Sequence, residues 1–264
     1  MFNALPNLMK GAAIIAPKHH IFLLGHMRGY TSLFGHIMGS NPAICGYYEM
    51  HIGYYGWKSL IRQKLLYFKQ ETPKPGFRCM FDKILHNDHH ISPNVLNSNQ
   101  ASTIFSLRRP QEVIPSILSL YNRIDPSHEF NSEAFATRYY VSRLDELENI
   151  AQQLERGFFY LDAEALNHCP DECLSILSNW LNLDTPLSTT YEVQKKTAKE
   201  RYGDTSDRIA RGQITRQKSD YANFQFDEGL MEMAASTYER VRGVLLRISE
   251  HHGICDLETE ISTT

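Results

Sequence analysis

The chain lacks a basic excess, a paired cysteine spacing and any long apolar run. Across 264 residues, 27 Lys and Arg stand against 30 Asp and Glu, a formal charge of -3. Extended nucleic-acid surfaces carry a basic excess on one face, so no nucleic-acid partner is expected and any anion site has to be local. The five cysteines, Cys45, Cys79, Cys169, Cys173 and Cys255, are odd in number and follow no zinc-ligand spacing. Cys169 and Cys173, four apart, read as packing residues on one helix face, and a reducing compartment is the default. The N-terminal stretch MFNALPNLMKGAAIIAPKHH is broken by Pro6, Lys10 and Pro17, which suits neither a secretion signal nor a membrane span. The expectation is a cytoplasmic protein with no membrane span. Low-complexity tracts and repeats are absent as well, and a content of 42% hydrophobic and 22% charged residues is ordinary for a globular chain. The length fits a single domain over residues 1–264 with one sizeable core.

Short apolar or β-rich runs recur at residues 21–25, 43–46, 77–81, 103–107 and 158–161. Between them lie stretches of helical periodicity at 31–38, 54–70, 111–122, within 131–155, 171–181 and 227–252. In the long helix, Val141, Leu144, Leu147, Ala151 and Leu154 make one apolar stripe. This alternation predicts an α/β fold, a parallel β-sheet flanked by helices. Two polar stretches, 87–100 and 185–221, read as long loops, and ligands of such sheets bind beyond the carboxyl ends of the strands where loops gather. The second contains RYGDTSDRIARGQITRQKSDY, a basic segment able to close over an anion or simply to form a solvated surface.

The run FLLGHMRGYTSLFGHIMGS opens as a strand, turns through Gly25 and Gly29, and continues as a helix from Thr31 and Ser32. Backbone N–H groups at a helix start, together with the helix dipole, favour phosphate. Against the ATPase pattern G-x-x-x-x-G-K-[ST], Tyr30 stands where the second glycine belongs and Thr31 where the lysine belongs, while a cation is supplied by Arg28. Magnesium-dependent ATP hydrolysis by the usual route is therefore disfavoured.

The segment GHMRGYTSLFGHIMGSNP resembles the 5′-phosphosulfate loop of sulfotransferases that use 3′-phosphoadenosine 5′-phosphosulfate (PAPS), of general form P-R-S-G-T-T-L-L with a helix and H-P. Arg28 matches the loop cation, Thr31 and Ser32 the two hydroxyl residues, and Asn41-Pro42 the closing pair; Gly29 replaces a serine and Tyr30 a glycine. TIFSLRRPQEVIPSILSLY is similar to the family's 3′-phosphate-binding segment, with Arg108, Pro110 and Ser116 on its arginine, proline and serine and Arg109 in place of the usual aspartate. FFYLDAEAL resembles a third segment, in which Tyr160 takes the place of a nucleotide-contacting tyrosine, and GDTSDRIARGQI looks like the cofactor-covering loop, near which Arg216 and Lys218 fall. The matches keep the family's order over about residues 20–220.

The resemblance implies a P-loop NTPase-like sulfotransferase architecture and transfer of a sulfonate group from PAPS to a small- or medium-sized acceptor, leaving adenosine 3′,5′-bisphosphate, with no metal. Implied cofactor-binding residues are Arg28, Gly29, Tyr30, Thr31, Ser32, Arg108, Ser116, Tyr160, Arg216 and Lys218. Glu49 matches the catalytic glutamate of the protein-tyrosine type, His51 is a rival base, and Lys83 resembles a lysine near the transferring group or serves a structural ion pair beside Asp82. His86, Asp88, His89 and His90 bunch in one loop without a clean ligand spacing. Tyr47, Tyr48, Tyr54, Tyr55 and Trp57 either wall an acceptor pocket or pack in the core. A P-loop nucleotide or nucleoside kinase and a non-catalytic nucleotide-binding protein of the same fold are the alternatives; the oligomeric state and the acceptor are left open.

Overall fold

The computed structural model describes residues 11–194, 209–215, 221, 224 and 226–255. Six strands are present among them: β1 (His19–Leu24), β2 (Ile44–Cys45), β3 (Cys79–Ile84), β4 (Ala101–Leu107), β5 (Phe159–Asp162) and β6 (His251–Gly253). They form one sheet in the order β2-β3-β1-β4-β5-β6, and every neighbouring pair is parallel. Helices cover both faces, so strands such as IFLL in β1 are apolar at consecutive positions rather than alternately. Alternation survives in where the side chains go: Phe22 and Leu24 enter one core cluster, Ile21 and Leu23 the other.

The labelled helices are α1 (Thr31–Ser40), α2 (Trp57–Gln70), α3 (Pro93–Leu96), α4 (Pro110–Ile124), α5 (Glu133–Gln152), α6 (Ala165–His168), α7 (Pro170–Trp180) and α8 (Glu228–Ile248). The first core cluster joins β1 and β4 to α4, α5 and α8; of the stripe read on α5, Leu144, Leu147 and Ala151 are buried there and Val141 and Leu154 pack at its margin. The second joins β1 and β5 to α1 and α7 through Phe34, Ile37, Leu174 and Leu177. Cys173 is buried within it with Cys169 at its edge, the packing role expected.

Three sequence expectations are corrected. The final helix stops at Ile248, and His251–Gly253 becomes β6, because its backbone pairs with β5. The second helix starts at Trp57, not at residue 54, since Tyr54 is fully buried and bridges Ile91. The polar stretch 87–100 contains α3, capped by the Ser92 hydroxyl accepting from Asn94 N. No helix among the described residues is long and apolar enough to cross a membrane.

The register sets the site. Leu24 lies opposite Ile84 on β3 and Phe105 on β4, so the carboxyl ends of the three central strands are nearly level. Connections leave β1 toward β2 on one side while β4 lies on the other, which makes this edge the switch point where ligands of open parallel sheets bind.

Close approach of α1 to the β2 connection needs a glycine. A Cβ on Gly35 would lie 2.2 Å from the Tyr47 carbonyl oxygen, which is backbone and has nowhere to move. Alanine is worth about 1 kcal/mol over glycine in a helix interior, but overpacking costs about 1–3 kcal/mol or more. The clash wins: Gly35→Ala is expected to lower stability by about 2 kcal/mol in urea titration despite the better helix former.

Candidate active site

The loop between β1 and α1 holds two non-glycine residues in left-handed backbone conformation, Arg28 (φ 63°) and Tyr30 (φ 55°). Tyr30 stands at the helix N-cap, where no side-chain cap is present among the described residues, and the N–H groups of the first turn of α1 have no acceptor within the helix. Tyr30 thus takes the backbone conformation that glycine favours, and its side chain turns onto Arg108. The ring centroid is 4.0 Å from the guanidinium carbon, and Arg108 Nη2 donates to the Tyr30 hydroxyl at 2.8 Å.

Arg108 follows β4 and is 3% exposed. Its Nη1 donates to the Arg28 carbonyl and its Nη2 also to Glu112 Oε2, both at 2.8 Å. Its Nε is buried with no hydrogen-bond acceptor among the described residues. Arg28 Nε in turn donates to Ser116 Oγ on α4 at 2.8 Å. Arg28, Tyr30, Arg108 and Ser116 therefore form one connected group, with Thr31 and Ser32 at the adjoining start of α1. Gly29 sits tightly against His26, whose carbonyl would lie 3.2 Å from a Cβ there.

His26 links the two loops. The Arg108 backbone N–H donates to its Nε2 (3.1 Å), which places the ring proton on Nδ1, facing the Met27 carbonyl (2.9 Å). Complete burial, aided by Arg108 and Arg143, lowers its pKa to about 4. From α5, Tyr139 OH accepts from Met27 N and donates to the Leu85 carbonyl, while Arg143 donates to the carbonyls of Gly25 (2.8 Å) and Ile84 (2.7 Å) and to Asn87 Oδ1. Neither residue is singled out from the sequence; the one signal that could have found Arg143 is a charge at an inward position of its helix.

Tyr160 lies level with Phe105 and Leu24 in the sheet, but its side chain is packed away inside the fold. It is fully buried, and its hydroxyl donates to Asp162, itself held by Arg242 from α8. Arg216 and Lys218 lie outside the described residues. Of the five aromatics after β2, Tyr47, Tyr48 and Tyr54 are core residues and Tyr55 and Trp57 are exposed.

Glu49, His51 and Lys83 converge on the other flank of the edge. Lys83 is buried, which lowers its pKa, and the carboxylates of Glu49 and Asp82 oppose that shift. Asp82 Oδ1 accepts from the backbone N–H groups of Met50 and Lys83, and its Oδ2 from the Tyr54 hydroxyl, so the turn carrying Glu49 is pinned to β3. Burial raises the Asp82 pKa to about 7 against these bonds. Glu49 Oε1 is buried without a hydrogen-bond donor among the described residues, 3.8 Å from His51 Nδ1. Beside this flank opens a cavity of about 390 Å³, lined among others by His86, Phe130, Phe135, Arg138 and Tyr139.

No model of a known protein family matches the chain, and no curated protein matches it in sequence. Among solved structures it is similar to a sulfotransferase domain from the curacin biosynthetic pathway, with a TM-score of 0.54 and 15% identity over 86% of this chain and 98% of that one. The fold is that of a sulfotransferase domain.

Burial of neutral His26 makes the site acid-sensitive. The unfolded chain protonates this ring near pH 6.5 and the folded one only near 4. Stability from this residue is therefore complete above pH 6.5 and falls by roughly 3 kcal/mol as pH drops to 4. The melting temperature of His26→Gln, measured between pH 7 and pH 4, is expected to fall less steeply than that of the parent.

Proposed function

We propose that the protein is a PAPS-dependent sulfotransferase acting on a hydroxyl or amine of a small- or medium-sized acceptor. The observation that carries this reading is the meeting of Arg28, Arg108 and Ser116 beside the uncapped start of α1, at the switch point of a sulfotransferase fold. Fit to a doubly phosphorylated nucleotide rests on two features: the donor-rich helix start, and the buried Arg108 Nε with no acceptor of its own. Glu112 already engages the far end of Arg108, so the arginine offers an incoming phosphate only part of its fork.

When bound, PAPS supplies the sulfonate and a phosphate leaving group. The backbone N–H groups of Thr31 and Ser32, with Arg28, stabilise the charge that grows on the leaving 5′-phosphate as its bond to sulfur breaks. Glu49 takes the acceptor proton while the acceptor oxygen or nitrogen bonds to sulfur, and Lys83 beneath it steadies the transferring oxygens. The neighbouring cavity, apolar on Phe130, Phe135 and Tyr139 and cationic at Arg138, receives the acceptor. The kinase reading fits less well, because no lysine lies within residues 25–32.

Calorimetry with adenosine 3′,5′-bisphosphate separates these roles. The parent is expected to bind it without magnesium, whereas a kinase would need magnesium and ATP. Arg28→Ala should weaken binding about tenfold to a hundredfold with little change in melting temperature, as for loss of one charge-assisted bond. Arg108→Ala should weaken binding and also destabilise the fold by about 3 kcal/mol, since its donors hold the loop. Unchanged affinity in both would overturn the assignment.

The base is tested by turnover. Glu49→Gln is expected to keep bisphosphate affinity and to lower transfer from PAPS about a hundredfold. A fully active variant would move the base elsewhere.

A further inference from the structure

Glu49 and His51 follow β2 and His89 follows β3, yet their side chains meet. His51 Nδ1 is 3.2 Å from His89 Nε2, Glu49 Oε1 is 3.8 Å from His51 Nδ1, and one ligand atom from each of the three residues lies within 4.8 Å of the other two. Zinc–nitrogen bonds of 2.0–2.1 Å in tetrahedral array put two ligand nitrogens roughly 3.3 Å apart, close to the separation of the imidazoles here.

Two further features point to a cation. Glu49 Oε1 is buried and has no hydrogen-bond donor among the described residues, an arrangement that costs about 1–3 kcal/mol unless a positive charge meets it. His51 holds a left-handed backbone (φ 53°), a sparsely populated conformation for a residue with a side chain. The turn is fixed from below by Asp82, which accepts from Met50 N between the two ligands, so the donor set is braced before any ion arrives. The neighbouring histidines are otherwise engaged: His86 packs its ring on Tyr139 and His90 stacks on Tyr55.

We propose that Glu49, His51 and His89 form a three-ligand site for a zinc-class divalent cation, with the fourth position left to water. Two imidazoles and one carboxylate suit zinc and its late first-row neighbours rather than magnesium or calcium, which prefer all-oxygen shells. Binding requires both ring nitrogens to lie unprotonated toward the ion, so the hydrogen bond now joining them is exchanged for two metal bonds and the donating ring carries its proton on its other nitrogen instead. The site stands independently of the sulfotransferase reading. Where that reading holds, a cation on Glu49 occupies the carboxylate that takes the acceptor proton, and the metal-loaded protein transfers sulfonate more slowly.

The test is calorimetric titration of the chelator-stripped full chain with Zn²⁺, alongside the visible absorption of the Co²⁺ form. Expected are about one ion per chain and the intense bands of four-coordinate cobalt. His51→Ala and His89→Ala should each weaken binding roughly tenfold or more, and His90→Ala should not. Glu49→Gln, isosteric and uncharged, should also lose affinity. Absence of a one-to-one zinc isotherm in the parent, or parental affinity in both His51→Ala and His89→Ala, overturns the site. Bisphosphate binding on the same samples keeps the two readings apart, because its loss with zinc binding intact counts against the nucleotide site alone.

Discussion

The carboxyl edge of the sheet depends on one buried guanidinium. Arg143, 1% exposed on α5, donates to the carbonyl of Gly25 where β1 ends, to that of Ile84 where β3 ends, and to Asn87. A buried cation is tolerated only when acceptors surround it, and strand-end carbonyls supply them here. Burial lowers its pKa to about 10, so it stays charged at neutral pH. Tyr139, one helical turn earlier, ties Met27 to Leu85. One face of α5 thus clamps the first residues of both loops, and sliding this helix would strand a charge and free two backbone segments together.

The two flanks of the edge differ in chemistry because of what this clamp separates. On the β4 side, Arg28, Arg108 and the start of α1 concentrate donors, and Tyr30 lies across Arg108 as an aromatic cover. On the β2 side, Glu49, Lys83, His51 and His89 place a carboxylate among groups that give or take protons. In the proposed transfer, the first flank receives the charged donor and the second takes the acceptor proton, the division of labour that such a reaction requires.

Much of the architecture is legible in the residue order. Short apolar or β-rich runs such as IFLL and TIFSL, alternating with stretches of helical periodicity, point to a parallel sheet with helices on either side. Arg108 and Ser116 stand out because a strand-end arginine and a hydroxyl on the next helix are brought to one edge by any such connection. The final strand was hidden, since HHG carries no β-rich pattern and pairs only because β5 leaves an edge open. Tyr160 shows a limit of another kind: nothing local in its segment reveals that its side chain is fully buried with its hydroxyl on Asp162.

Local order along the chain determined the strand-loop-helix at residues 19–40, the cation at Arg28 in place of a P-loop lysine, and the succession of units that makes the sheet parallel. Those properties depend on neighbours in sequence, through apolar periodicity and turn chemistry. Only the tertiary structure decided that Tyr30 folds onto Arg108, that Arg143 braces the edge, and that His89 joins Glu49 and His51. These are meetings of segments tens of residues apart, set by the strand order β2-β3-β1-β4, and no local pattern encodes which strand ends will be neighbours.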